Sequence, residues 1–165
     1  MRFLYCGADK YPDTKQISED FYILQKPFIS TMIASGTQIL VPAGLITDYG
    51  SIPDFAQSFF DKAGANSGSY LTHDFLYSIQ IYRRSVSDWN LLLSLKLDGM
   101  NWFKRNSAWL AVKAVGGKVW DNNSEESIED VKKITHENLV QIMQKKNQFG
   151  LYYKRGSYFK GPSYG

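Results

Sequence analysis

Residues 21–42 read FYILQKPFISTMIASGTQILVP, and the architecture of the N-terminal third turns on them. The stretch is rich in β-branched and aromatic residues, and Ser35-Gly36 splits it into two extended runs, the pattern of a β-hairpin. Pro27 and Pro42 fall at the ends of those runs, where a missing amide proton is tolerated. A hairpin or small antiparallel sheet is therefore expected first. Immediately after it, residues 46–69, ITDYGSIPDFAQSFFDKAGANSGS, mix Asp, Gly, Ser and Pro with aromatic residues. That composition predicts a long structured loop, with one short helical turn around Phe55 to Phe60.

From Tyr70 the apolar period becomes helical. Leu71, Phe75 and Leu76 mark a first helix, Arg83-Arg84-Ser85 interrupts, and Ser87 is placed to cap a second helix carrying Trp89, Leu92, Leu93, Leu95 and Met100. A third helix is expected over Ser107 to Val115, ended by Gly116-Gly117. A fourth is expected from about Asn123, with Glu126 completing a capping box, to about Lys146, with Ile128, Val131, Leu139 and Ile142 on one side. The class is α+β: a hairpin or small sheet followed by three to four clustered helices, then an aromatic C-terminal arm. The expected organisation is one domain over residues 1–120, an added helix over 121–146 and an extended Tyr- and Gly-rich arm over 147–165.

A chain of 165 residues has room for one domain with a real core, and 44% hydrophobic with 21% charged residues is an ordinary globular balance. A net charge of +3 is too slight to imply nucleic acid. One cysteine, Cys6, excludes an internal disulfide and a thiolate metal cage. No apolar window approaches the roughly 20 residues needed to span a bilayer, and the N-terminal run is too short for a secretory signal. A cytoplasmic place of synthesis is the default expectation. The unusual feature is 15% aromatic residues. Tyr152, Tyr153, Tyr158, Phe159 and Tyr164 crowd the arm among Lys154, Arg155 and Lys160, which points to a protein partner more than to stacking on nucleic acid.

The candidate chemistry lies in Thr47-Asp48, Ser51, His73-Asp74 with Tyr77, and Asp88. Histidine is suited to proton transfer near neutral pH but needs a second group to fix its tautomer, a role open to Asp48 or Asp88. On a helix His73 and Tyr77 share a face, whereas His73 and Asp74 point about 100° apart. Asp74 is thus expected to cap, to pair with Arg83 or Arg84, or to bind from another side. One reading makes His73 a general base, with Asp48, Asp74, Asp88, Ser51 and Tyr77 around it. A second makes His73, Asp48 and Asp88 ligands of a divalent metal such as zinc. In a third the cluster only knits the loop to the helix. A Gly-x-Ser-x-Gly elbow and a phosphate-cradling loop are both missing from the sequence.

The order of motifs resembles a phage and prophage family catalogued as domain of unknown function 1353. The resemblance runs through VPAGLITDYGSIPDF (41–55), SYLTHDFLYS (69–78), RRSVSDWNLLLSLKLDGM (83–100) and AVKAVGGKVW (111–120), within about residues 21–120. It implies a viral origin and a polar cluster of Asp48, Ser51, His73, Asp74 and Asp88. Ser87 stands where that family usually has Ala, and Ser69, Tyr70 and Thr72 where small apolar residues are common. A virion component of the tail or head-to-tail region follows as the expected role, with other phage structural proteins as partners and cell-wall material as substrate. A purely structural virion protein and a free metal-dependent hydrolase of lysis are the alternatives. Separately, His73-Asp74-x-x-Tyr77 is similar to the signature of secreted and viral phospholipases A2, in which the His activates water and the Asp holds calcium. Here no cysteines flank the dyad, and Gly64 to Gly68 is a poor substitute for a calcium loop.

Overall fold

The computed structural model describes residues 11–19, 21–49 and 64–144. Five short strands, β1 (Thr14–Gln16), β2 (Tyr22–Leu24), β3 (Phe28–Met32), β4 (Thr37–Val41) and β5 (Ile46–Thr47), precede four helices. The helices are α1 (Ser67–Ile79), α2 (Arg84–Leu97), α3 (Trp102–Asn122) and α4 (Glu125–Gln144). The class is α+β, as the sequence predicts.

The hairpin forms where the sequence places it. β3 and β4 pair antiparallel with Phe28 opposite Val41 and Met32 opposite Thr37. Gly36, at φ +70°, closes the turn by donating its amide to the Met32 carbonyl, a left-handed conformation that glycine adopts without a Cβ clash. Pro27 and Pro42 bracket the pair just outside the ladder. A second sheet, in the order β1-β2-β5, is antiparallel throughout. Along β3 the residues Phe28, Ser30 and Met32 are buried and Ile29 and Thr31 only partly so, the alternation of a strand with one face on a core.

The core of that face is α1. Leu71, Phe75, Leu76 and Ile79 are all but fully buried, as are Tyr70, Thr72 and Tyr77, so this helix runs through the interior rather than lying on it. Sheet and helix meet closely. A Cβ on Gly68 would stand 3.0 Å from the Phe28 ring, and the Thr72 hydroxyl pairs with that of Ser30 at 2.7 Å. Asn90, on α2, accepts from the Ile33 amide at 2.8 Å and ties the hairpin turn to the helices.

Three helices differ from expectation at their boundaries, each for a visible reason. α2 begins at Arg84, and Ser87 lies inside its first turn, fully buried, where it caps nothing. α3 starts at Trp102, capped by the Asn101 side chain accepting from the Lys104 amide, and runs straight through Gly116-Gly117 to Asn122. Two glycines inside a helix cost about 1 kcal/mol each relative to alanine, and here they allow close approach rather than ending the helix. A Cβ on Gly116 would meet the Tyr77 hydroxyl, and one on Gly117 the Arg84 guanidinium. Ser124, not Asn123, caps α4 by accepting from the Ser127 amide at 3.1 Å; the Asn123 side chain turns back to the Tyr77 carbonyl. α4 packs on α1 and β4, with Val131 against the core. The helical turn expected around Phe55 to Phe60 and the arm from Asn147 to Gly165 lie outside the described residues, as do the side chains of Leu139 and Ile142.

Candidate functional site

The centre of the candidate site is the buried carboxyl of Asp88, projecting from the first turns of α2 towards α1. One of its oxygens, Oδ1, lies 3.1 Å from His73 Nε2 and accepts from the Tyr77 hydroxyl at 2.6 Å. His73 and Tyr77 are one helical turn apart, which sets their rings side by side with centroids 4.3 Å apart. The shared face read from the sequence is therefore real, and Asp88 rather than Asp48 holds the histidine. His73 is 6% exposed and Asp88 3%, so this triad sits under the surface.

The bonding assigns the tautomer. A carboxylate has only acceptors to offer, so Nε2 carries the proton it donates to Asp88. In the neutral ring Nδ1 is then left with a lone pair, 4.0 Å from Asp74 Oδ1. Burial and the neighbouring Asp88 push the Tyr77 phenol far above its ordinary value of 10.0, with the Arg84 guanidinium pulling weakly the other way. Tyr77 thus remains a donor to Asp88 throughout the neutral range.

Asp74 points elsewhere, as the 100° step along a helix requires. The Thr47 hydroxyl of β5 donates to Asp74 Oδ2, and Thr47 Oγ1 in turn accepts from the Tyr49 amide at 2.9 Å. Arg84, one of the two cations expected to pair with Asp74, instead bears on Tyr77 and Gly117. Tyr49 is buried at φ +57°, outside the range bulky residues usually adopt, with its hydroxyl 2.7 Å from Thr14 Oγ1. The sheet is in this way fastened to α1 at the acidic end of the site.

A cavity of about 270 Å³ opens between α1, α3 and β5. Thr47, Asp48, His73 and Asp74 line one end of it, and Ala111, Val112, Val115 and Val119 of α3 line another side. Asp48 thereby joins His73 and Asp74 at the cavity, while Asp88 stands behind the histidine. The trio of His73, Asp48 and Asp88 is not brought together as a metal site. Asp88 faces the protonated Nε2, and among the described residues no group of three or more His, Cys, Asp and Glu is arranged to hold an ion. Gly68 lies within α1 against Phe28, so the Gly64 to Gly68 segment leads into a helix instead of forming a cation loop. Ser51 and the arm residues Tyr152, Tyr153, Tyr158, Phe159 and Tyr164 lie outside the described residues.

Two contributors escaped the sequence reading. Arg84, expected from the sequence only as an interruption between helices or a partner of Asp74, acts on Tyr77, and Gly116, expected to end a helix, makes room for the Tyr77 hydroxyl. Trp120 completes the surround with an edge-on contact to Tyr77 at 5.1 Å. No helix among the described residues is long and apolar enough to cross a membrane.

No curated protein and no solved structure matches the chain. One family model does: that of the family described as protein of unknown function (DUF1353) matches residues 22–112, from β2 into the middle of α3 and through Thr47, Asp48, His73, Asp74, Tyr77 and Asp88. The match covers more than half of the 165 residues, and the chain belongs to this family.

Proposed function

We propose that this protein is a hydrolase that activates water with His73 against an ester or amide bond. The observation that carries the reading is the Asp88–His73 pair: a buried carboxylate fixes Nε2–H, so the lone pair resides on Nδ1 of a histidine that lines a cavity. In the reaction Nδ1 takes a proton from water as the water oxygen bonds to the carbonyl carbon. Asp88 stabilises the imidazolium so formed, and Tyr77 holds Asp88 in place. The imidazolium then returns the proton to the departing oxygen or nitrogen as the bond to carbon breaks, which leaves an acid and an alcohol or amine. The step needs no metal, and the cluster offers no third ligand for one among the described residues.

The setting we propose is a phage particle, reached from the host cytoplasm, with the protein as a tail or head-to-tail component and cell-wall material as the source of the bond. The motif order and the aromatic segment 147–165 support this setting. Neighbouring phage proteins would then bury the arm's rings, and deletion of residues 147–165 should leave a folded domain that is no longer incorporated into particles.

A purely structural reading has one observation in its favour: Thr47, Asp74 and Tyr49 form a chain of bonds that fastens β5 to α1. Replacing His73 by Gln separates the two. The hydrolase reading expects ester or amide turnover to vanish with the melting temperature within a few degrees of wild type. The structural reading expects a large loss of melting temperature and no turnover in either protein.

A further inference from the structure

Polar and apolar groups are segregated in the cavity beside His73. Its polar end holds Thr47, Asp48, His73 and Asp74, while α3 contributes Ala108, Ala111, Val112, Val115 and Val119. Of the four further polar residues of the described lining, Ser78 donates to the Asp74 carbonyl at 2.9 Å, the Asn123 amide to the Tyr77 carbonyl at 3.0 Å and the Tyr77 hydroxyl to Asp88 at 2.6 Å, while Tyr70 is buried among the core residues. A ligand hydroxyl or charge lying along α3 would lose its water without gaining a partner, at a cost of about 1–3 kcal/mol for each neutral group.

The mouth has the same character. Phe21, Ile46, Val115 and Val119 line the cavity and are nonetheless 47%, 54%, 42% and 50% exposed, so large apolar side chains stand in solvent around its opening. The described lining contains two carboxylates and no lysine or arginine, which disfavours any anionic ligand.

We propose that this cavity receives the aliphatic acyl half of a neutral ester or amide, with the carbonyl at the His73 end and the chain along α3. The inference rests on the hydrolase reading and narrows cell-wall material to an acylated component of it: a bare glycan or a charged peptide stem matches neither the walls nor the charge, whereas an alkyl chain gains from every methylene the walls cover.

The test uses the full chain with two kinds of probe. Hydrolysis is read with p-nitrophenyl butanoate and p-nitrophenyl octanoate, and binding with decanamide, a neutral chain, by calorimetry on wild type, His73→Ala and Val115→Asp. Val115 is exposed on a helix, so its substitution leaves folding intact and sets a charge at the rim. The expected result is a kcat/KM at least roughly tenfold higher for octanoate than for butanoate. Decanamide should bind wild type and His73→Ala alike and Val115→Asp at least tenfold more weakly. Binding of decanamide with no turnover of either ester would remove the hydrolase reading and leave the apolar-chain site standing. Turnover without chain-length preference, absence of decanamide binding, or equal binding by Val115→Asp would overturn the inference while leaving the hydrolase reading intact.

Discussion

A Cβ placed on Gly116 would lie 2.6 Å from the hydroxyl oxygen of Tyr77, the group that donates to Asp88. The glycine is what lets α3 close over α1 at this point, and the phenol cannot retreat without giving up its bond to Asp88. Gly116→Ala should therefore destabilise the fold by about 1–3 kcal/mol in spite of alanine's better helix propensity. Combined with Tyr77→Phe, which removes the clashing oxygen, the loss should be clearly less than additive in urea unfolding. Gly117→Ala should cost far less, since its new methyl would meet only the far end of the flexible Arg84 side chain at 3.3 Å.

Thr47 serves two partners through one hydroxyl, donating to Asp74 and accepting from the Tyr49 amide. Thr47→Val keeps the shape and removes both bonds. The Tyr49 N–H, buried at a left-handed position, then has no acceptor, and a loss of about 1–3 kcal/mol is expected in thermal or urea unfolding. Thr47→Ser, which keeps the hydroxyl, should recover most of it.

Tyr49, Tyr70 and Tyr77 are each shifted upward from 10.0, first of all by burial. A phenol that ionises later in the folded state than in the unfolded one adds stability that is intact below pH 10 and drains away as pH rises above it. Absorbance of tyrosinate should thus show three side chains silent while exposed tyrosines titrate, followed by cooperative unfolding in which all three appear together. Tyrosinate forming in all three well before unfolding would contradict the burial that defines the core of α1.

The hairpin was legible because its evidence is local: two β-branched runs, a Ser-Gly turn and a proline at each end. His73 and Tyr77 were legible for the same reason, since helical spacing alone sets them on one face. The choice of Asp88 over Asp48 was not, because it depends on how α2 crosses α1, a relation between segments that no window of sequence contains. Ser87 and Gly116-Gly117 misled in a related way. Each has a local meaning, cap or stop, that tertiary packing overrode: Ser87 is buried inside a helix that starts three residues earlier, and the glycines are spaces for Tyr77 and Arg84. The cavity wall could not be read at all. Ala111, Val112, Val115 and Val119 look like ordinary core positions until α3 is seen to leave a gap beside them.

The central claim is that Asp88 fixes His73 as a base, and the most direct measurement is the rate of ester and amide hydrolysis by wild type, Asp88→Asn and His73→Gln at matched folding. Asparagine preserves the size of the side chain and an acceptor for Tyr77, but removes the charge that steadies the imidazolium. The account predicts a fall in kcat of about 100-fold or more for Asp88→Asn with KM little changed, and background rates for His73→Gln, all three proteins melting within a few degrees of one another. Equal rates in all three folded proteins would contradict it.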